Sequence, residues 1–142
     1  MRMIWLLMLS LSVAASVAAR AGELVVSDAR VREVIPGQSV TVAFLTATNQ
    51  GTQTCILGDV SSTAAGRAAV HEHRHEGGVM RMRPVAEVSV APGAELRLQP
   101  GGYHLMLFGV SALKSGESIP LRLDFGQCGI IELEAPVVVL ER

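Results

Sequence analysis

From residue 22 onward, glycine, proline and asparagine cut the chain into short pieces, and this spacing narrows the possible folds most. Between the breaks lie runs rich in β-branched and other apolar residues, over positions 25–32, 40–48, 54–61, 68–76, 79–83, 85–90, 95–98, 103–110, 119–125 and 129–139. Asn49-Gln50-Gly51, Gly77-Gly78, Pro92-Gly93 and Pro100-Gly101-Gly102 stand where a chain of strands needs turns, because these residues accept backbone angles that strand residues avoid. No segment carries a convincing helical period. In Leu121-Arg122-Leu123-Asp124-Phe125, and where Ile131 and Leu133 alternate with Glu132 and Glu134, apolar side chains recur every second residue. Short, closely spaced strands of this kind predict an all-β domain, an antiparallel sandwich or barrel. Residues 111–118 read as a polar loop.

The first 21 residues stand apart from that domain. Met1-Arg2-Met3 is a short positive start, residues 4–18 carry no charge and are mostly apolar, and Ala19-Arg20-Ala21 has the small-x-small pattern of a signal-peptidase site. At about 15 residues the apolar run is shorter than the roughly 20 needed to span a bilayer. The reading is therefore a cleavable signal peptide over residues 1–21, cut after Ala19 or Ala21, and a periplasmic domain over residues 22–142 that does not insert into the membrane. Loss of Arg2 and Arg20 leaves 10 basic against 13 acidic residues, with Lys114 the only lysine. A mildly acidic domain of this kind does not suit a phosphate backbone, so nucleic acid is not an expected partner. Roughly 121 residues suffice to bury one core.

Cys55 and Cys128 are the only cysteines, and neither belongs to a CxxC pair, which argues against a thioredoxin-type redox site. In an oxidising compartment two isolated cysteines are expected to pair. Closing so long a loop would stabilise the fold by roughly 4 kcal/mol in the chain-entropy view.

Beyond the leader, histidine and methionine are confined to a single stretch. The histidines are His71, His73, His75 and His104, and the methionines beyond the leader are Met80, Met82 and Met106, so all seven fall in one 36-residue window. A methionine pair alone ordinarily reads as core packing, and H-x-H-x-H alone as an exposed face or a weak Zn²⁺ or Ni²⁺ site. Their joint confinement favours a single metal site. Residues two apart on a strand share a face. His71, His73 and His75 then lie opposite Glu72, Arg74 and Glu76; Met80 and Met82 lie opposite Arg81 and Arg83. His104 and Met106 lie opposite Tyr103, Leu105 and Leu107. The Gly77-Gly78 turn folds the first group back on the second, so three strands can present imidazoles and thioethers to one point. Such soft-to-borderline donors suit Cu(I). Unlike thiolates, thioethers are not lost to disulfide formation outside the cytoplasm.

The same residues carry a family resemblance. His71, ten residues, Met82, twenty-one residues, His104, one residue and Met106 form the H-x10-M-x21-H-x-M pattern of the periplasmic copper chaperones called PCu(A)C. Gly78-Val79-Met80-Arg81-Met82-Arg83-Pro84-Val85 and Pro100-Gly101-Gly102-Tyr103-His104-Leu105-Met106-Leu107 resemble that family's two hallmark segments. Asn49-x-Gly51, Ala65-Gly66-Arg67, Pro120-Leu121 and Glu134-Ala135-Pro136-Val137 are similar to its flanking pieces. The resemblance implies a cupredoxin-like Greek-key β-sandwich that binds one Cu(I) near its surface through His71, Met82, His104 and Met106. It also implies delivery of copper to the CuA centre of cytochrome c oxidase, with subunit II or Sco-type proteins as recipients. Met80 then stands as a neighbouring or auxiliary donor. His73 and His75 extend the first histidine into a triplet, which opens the site to Cu(II) or to a different first ligand.

Other functions fit less well. A blue-copper centre needs a thiolate with two histidines and a weak methionine, but no His or Met follows Cys128, and Cys55 precedes every candidate ligand. A copper oxygenase with an N-terminal histidine ligand does not match this cleavage site, and a hydrolase would need a base beside its nucleophile. The protein is therefore read as no enzyme. The rival to copper carriage is zinc or general metal storage, using His71, His73 and His75 with Glu72 or Glu76. It predicts that replacing Met82 and Met106 by leucine leaves metal affinity intact.

Overall fold

The computed structural model describes residues 18–140. Its strands are β1 (Ala19–Ala21), β2 (Leu24–Arg32), β3 (Val40–Asn49), β4 (Cys55–Leu57), β5 (Val60–Ser61), β6 (Arg67–Glu76), β7 (Val79–Pro84), β8 (Val88–Val90), β9 (Glu95–Leu98), β10 (His104–Phe108), β11 (Ser118–Asp124) and β12 (Ile130–Val138), with one 3-10 turn at Gly126–Cys128. The main sheet runs β5-β11-β12-β2-β3-β10-β6-β7, with β1 added to β2 and β9 to β3, and β4 pairs with β8 in a second, two-stranded sheet. A single core draws on both halves of the long sheet: Leu121, Leu123 and Ile131 from one, Val70, Leu105 and Leu107 from the other. The alternation read in β11 and β12 is the burial pattern observed. Ile119, Leu121, Leu123, Ile131, Ala135 and Val137 are buried, and Arg122, Glu132 and Glu134 are exposed.

The all-β architecture is the expected one, with differences of detail. The run at 54–61 divides at Gly58-Asp59 into β4 and β5, which join different partners, β8 and β11. The chain crosses there from one layer to the other, a step that apolar content alone does not reveal. One pairing, β12 with β2, is parallel. Within the polar loop at 111–118, Leu113 is buried and bridges Val34. The expected signal peptide lies outside the described residues as far as residue 17, and its expected cleavage site falls in β1, which pairs with Leu24–Val26 of β2. Cys55 and Cys128 are disulfide-bonded and tie β4 to the 3-10 turn.

Two local devices place the candidate ligands. At Gly77 and Gly78, φ is 58° and 79°, the pair of positive angles that a two-residue type I′ hairpin requires. A side chain at either position would strain the turn that sets the β6–β7 register. The second device is a bulge in β2. Val26 pairs with Ala47, but Val31 pairs with Ala43, the register slipping by one residue between Ser27 and Arg30, where Asp28 adopts φ 55°. A one-residue bulge swaps the faces of all that follows. Val31 is thereby turned into the core and Arg30 and Arg32 onto the outer face.

Candidate metal centre

β10, β6 and β7 are neighbours in the sheet, and their pairing sets the donors in rows across one face. Val42, Met106 and Ala69 form one row; His104, His71 and Pro84 the next; His73 and Met82 the third; His75 and Met80 the last. Leu105, Leu107 and Val70 point the other way, into the core. All seven candidate side chains therefore occupy the outer face, and the convergence expected from their two-residue spacing forms.

Burial changes steeply along these rows. His104 is 3% exposed, whereas Met82 is 49% and Met80 52% exposed. β10 pairs with β6 only as far as His71, so among the described residues β7 is the only strand partner of residues 72–76, and the hairpin continues as a two-stranded ribbon. A cavity of about 260 Å³ opens beside the buried end, lined by His73, Met82, His104 and Met106 together with Arg32 and Phe44. The His104 ring centroid lies 5.2 Å from that of His73 and 6.0 Å from that of His71, with His71 stacked on it. His71, named by the family spacing, thus sits directly across from His104, while His73 faces Met82 and the cavity.

His104 is fixed for donation. Its Nδ1–H donates to the Gly102 carbonyl at 3.1 Å, which leaves Nε2 as the lone-pair atom. That Nε2 is buried and has no hydrogen-bond partner, a situation that ordinarily costs about 1–3 kcal/mol. Burial pushes the imidazole pKa down, partly offset by the Gly102 hydrogen bond, and His73, His71 and Arg32 lower it further. The His104 ring shares this cavity with Met82 and Met106, and an imidazole with two thioethers is a donor set that suits a soft cation.

The carboxylates are elsewhere. Glu72 is paired with Arg74, and Glu76 accepts from Arg83 at 2.9 Å with Arg81 at 3.8 Å, all on the opposite face of the ribbon. Arg83 is the main reason the Glu76 carboxyl lies below its ordinary pKa. Among the described residues, no group of three or more His, Cys, Asp and Glu side chains gathers at metal-holding distance. The structure therefore does not bring Glu72 or Glu76 to the histidines as a zinc site would require. Alternation puts them on the far side, and arginines hold them there.

Sequence reasoning missed Arg32 and Phe44. Arg32 lines the cavity with an Nε that is buried and without a hydrogen-bond partner. Phe44 is buried on the same face, with the Arg30 guanidinium 5.5 Å from its ring centroid. The placement of Arg32 depends on the β2 bulge, and the juxtaposition of both with His104 depends on long-range pairing of β2, β3 and β10, for which no local signal exists.

The sequence profile of the family named "Putative lipoprotein LpqE-like" matches residues 24–137. A curated relative, a "putative lipoprotein" of Leifsonia xyli subsp. xyli, is 32% identical over 103 residues, covering 71% of this chain; the match spans 62% of that relative's length. Among solved structures, the copper-bound PCuAC domain from PmoF2 superposes with a TM-score of 0.72 at 17% identity, over 87% of this chain and 98% of its own. The Cu(I) form of DR1885 from Deinococcus radiodurans gives a TM-score of 0.63 at 28% identity, over 87% of this chain and 80% of its own. With its profile match over most of the described residues and this shared architecture, the chain belongs to the LpqE-like family and has the cupredoxin-like β fold of PCuAC domains.

Proposed function

We propose that this protein is an exported carrier that binds one Cu(I) on the β6–β7–β10 face and passes it to a recipient by ligand exchange. The observation that carries the reading is the buried, unpartnered Nε2 of His104, on a ring that lines one cavity with Met82 and Met106. His104, Met106 and Met82 supply three donors. The fourth is an imidazole of β6: His71, which the family spacing names, or His73, one row further out. None of these donors is an anionic ligand, so the loaded site carries little charge. Arg32 adds a positive charge at the cavity wall, which opposes Cu(II) more than Cu(I) on simple Coulomb grounds. Half-exposed Met82 gives an incoming ligand a place to attack first.

Copper bound by the PmoF2 domain and Cu(I) bound by DR1885 support the choice of metal. Export is proposed from residues 1–21 and from the lipoprotein name of the relative, with a periplasmic destination. Among the described residues, no helix is long and apolar enough to cross a membrane. The recipients proposed are subunit II of cytochrome c oxidase, at its CuA site, or Sco-type proteins. No catalytic step is assigned to the site.

The test is a competition titration of the protein with Cu(I) against a chromophoric chelator, repeated with Met82→Leu plus Met106→Leu. One-to-one binding that collapses in the double variant is the expected result. Unchanged binding in the variant, or tighter binding of Zn²⁺ than of copper, would overturn the reading in favour of histidine-based zinc storage.

A further inference from the structure

Beyond the cavity, the β6–β7 ribbon carries donors with no structural task. The last row of its outer face is His75 opposite Met80, with His75 Nδ1 2.6 Å from Met80 Sδ. Both side chains are exposed, and Met80 has no core to fill at a hairpin tip. From His71 to Met82 every strand residue on this face is a histidine or a methionine, and every charged residue is on the other. The charges there pair with one another, Arg74 with Glu72 and Arg81 and Arg83 with Glu76. No carboxylate is left on the donor face to attract a hard ion. Successive rows on one face are about 6.6–6.8 Å apart, so the His75–Met80 row, the His73–Met82 row and the His104 row form a short ladder from solvent to the buried ligand.

We propose that His75 and Met80 form a second, outer Cu(I) site at the tip of the hairpin, and that this site loads the inner one through His73 and Met82. The inference rests on the copper-carrier reading and extends it to the route of entry. An ion sitting roughly 2.0–2.3 Å from each donor, as in comparable nitrogen and sulfur sites, requires His75 Nδ1 and Met80 Sδ to move apart. Exposed side chains on an unsupported ribbon can do this at little cost. Transfer down the ladder exchanges one His/Met pair for the next, and no electron moves, because the ion stays Cu(I) throughout. A two-donor site open to solvent is weaker than the inner one, so copper runs inward.

The experiment is an anaerobic titration of the full chain with Cu(I), read by NMR of methyl-labelled methionine. The first equivalent is expected to shift the Met82 and Met106 methyls, and the second the Met80 methyl. In the His75→Ala, Met80→Leu double variant the second step should vanish and the first remain. Loading of the inner site from a Cu(I)–chelator complex should slow several-fold. A Met80 methyl that stays unmoved through two equivalents, with Met82 and Met106 responding, overturns the outer site alone. Equal loading rates in the two proteins overturn its role in entry. Silence of Met82 and Met106 overturns the carrier reading itself, and the outer site with it.

Discussion

Around the Cys55–Cys128 bond the chain is tied several times over, whereas the β6–β7 ribbon is held by its own pairing and three surface ion pairs. At the disulfide, the buried Asn49 side chain donates to the carbonyls of Gln53 and Val90 at 2.7 and 3.0 Å, and Gln127 donates to the Thr54 carbonyl at 2.8 Å. Cys55 is 1% exposed, while all six residues of β7 are exposed. No residue lining the metal cavity also lines the cavity beside the disulfide. The contrast separates two demands. Fold stability is concentrated in one region, and the other is left loose enough to give up an ion. His104 lies between them in character, buried like the first region and unsatisfied like the second.

The largest effect should come from breaking the tied region. Replacing both cysteines by serine is expected to lower stability by about 4 kcal/mol in the chain-entropy estimate, measured by denaturant unfolding, with Cu(I) affinity unchanged in the folded fraction. A parallel loss of affinity would show that the two regions are coupled after all. Next comes His104→Leu, which should weaken Cu(I) binding by about 100-fold or more, since losing even an outer-shell partner of a metal ligand costs about 10–100-fold. Its thermal midpoint should stay near that of the parent, because losing the Nδ1 hydrogen bond to Gly102 is offset by losing a buried nitrogen that lacks a partner.

Smaller effects test the loose region. His71→Ala and His73→Ala should each cost about tenfold or less in Cu(I) affinity, at the low end of that same range, and together much more, if either imidazole can complete the site. A full loss in one single variant would identify the sole ligand of β6. Arg32→Gln should lower the Cu(II)/Cu(I) potential of the loaded protein by some tens of millivolts, a tenfold change in relative affinity being about 59 mV. The last test is pH. His104 has a depressed pKa in the fold, so below about 6.5 the unfolded chain binds a proton that the folded chain refuses. Its contribution to apo-protein stability is present above that pH and is lost as the pH falls towards the folded value. Calorimetry of parent and His104→Leu across this window reads the difference.

Much of this site was legible in the sequence, because alternation and a two-residue turn are local rules. Once Gly77-Gly78 is read as a type I′ turn, Glu76 pairs with Val79, and counting back sets His75 against Met80 and His73 against Met82. The family spacing points instead to His71 with Met82, and the register places His71 beside His104. Burial was less legible. Nothing in Tyr103-His104-Leu105 says that the histidine is covered, since its covering depends on β3 and on Arg32, contributed from far along the chain. The division of residues 54–61 between two sheets was hidden for the same reason. It is decided by distant partners.

The bulge at Asp28 bears on how this chain tolerates change in length. Loops on a protein surface usually gain and lose residues freely, and positions 27–30 lie near that surface. Here the bulge extends that freedom into a strand, because its extra residue is slack in a two-letter alphabet of inside and outside. Two residues, Asp28 and Ala29, oppose Leu45 alone, so losing either would leave Val31 opposite Ala43 and Arg30 opposite Phe44, the same faces in a ladder without the bulge. The partner strand has no such slack, and one residue lost from the middle of β3 would turn its apolar side chains out of the core. A deletion scan read by thermal unfolding should find single losses at residues 28 and 29 better tolerated than single losses at residues 43–45.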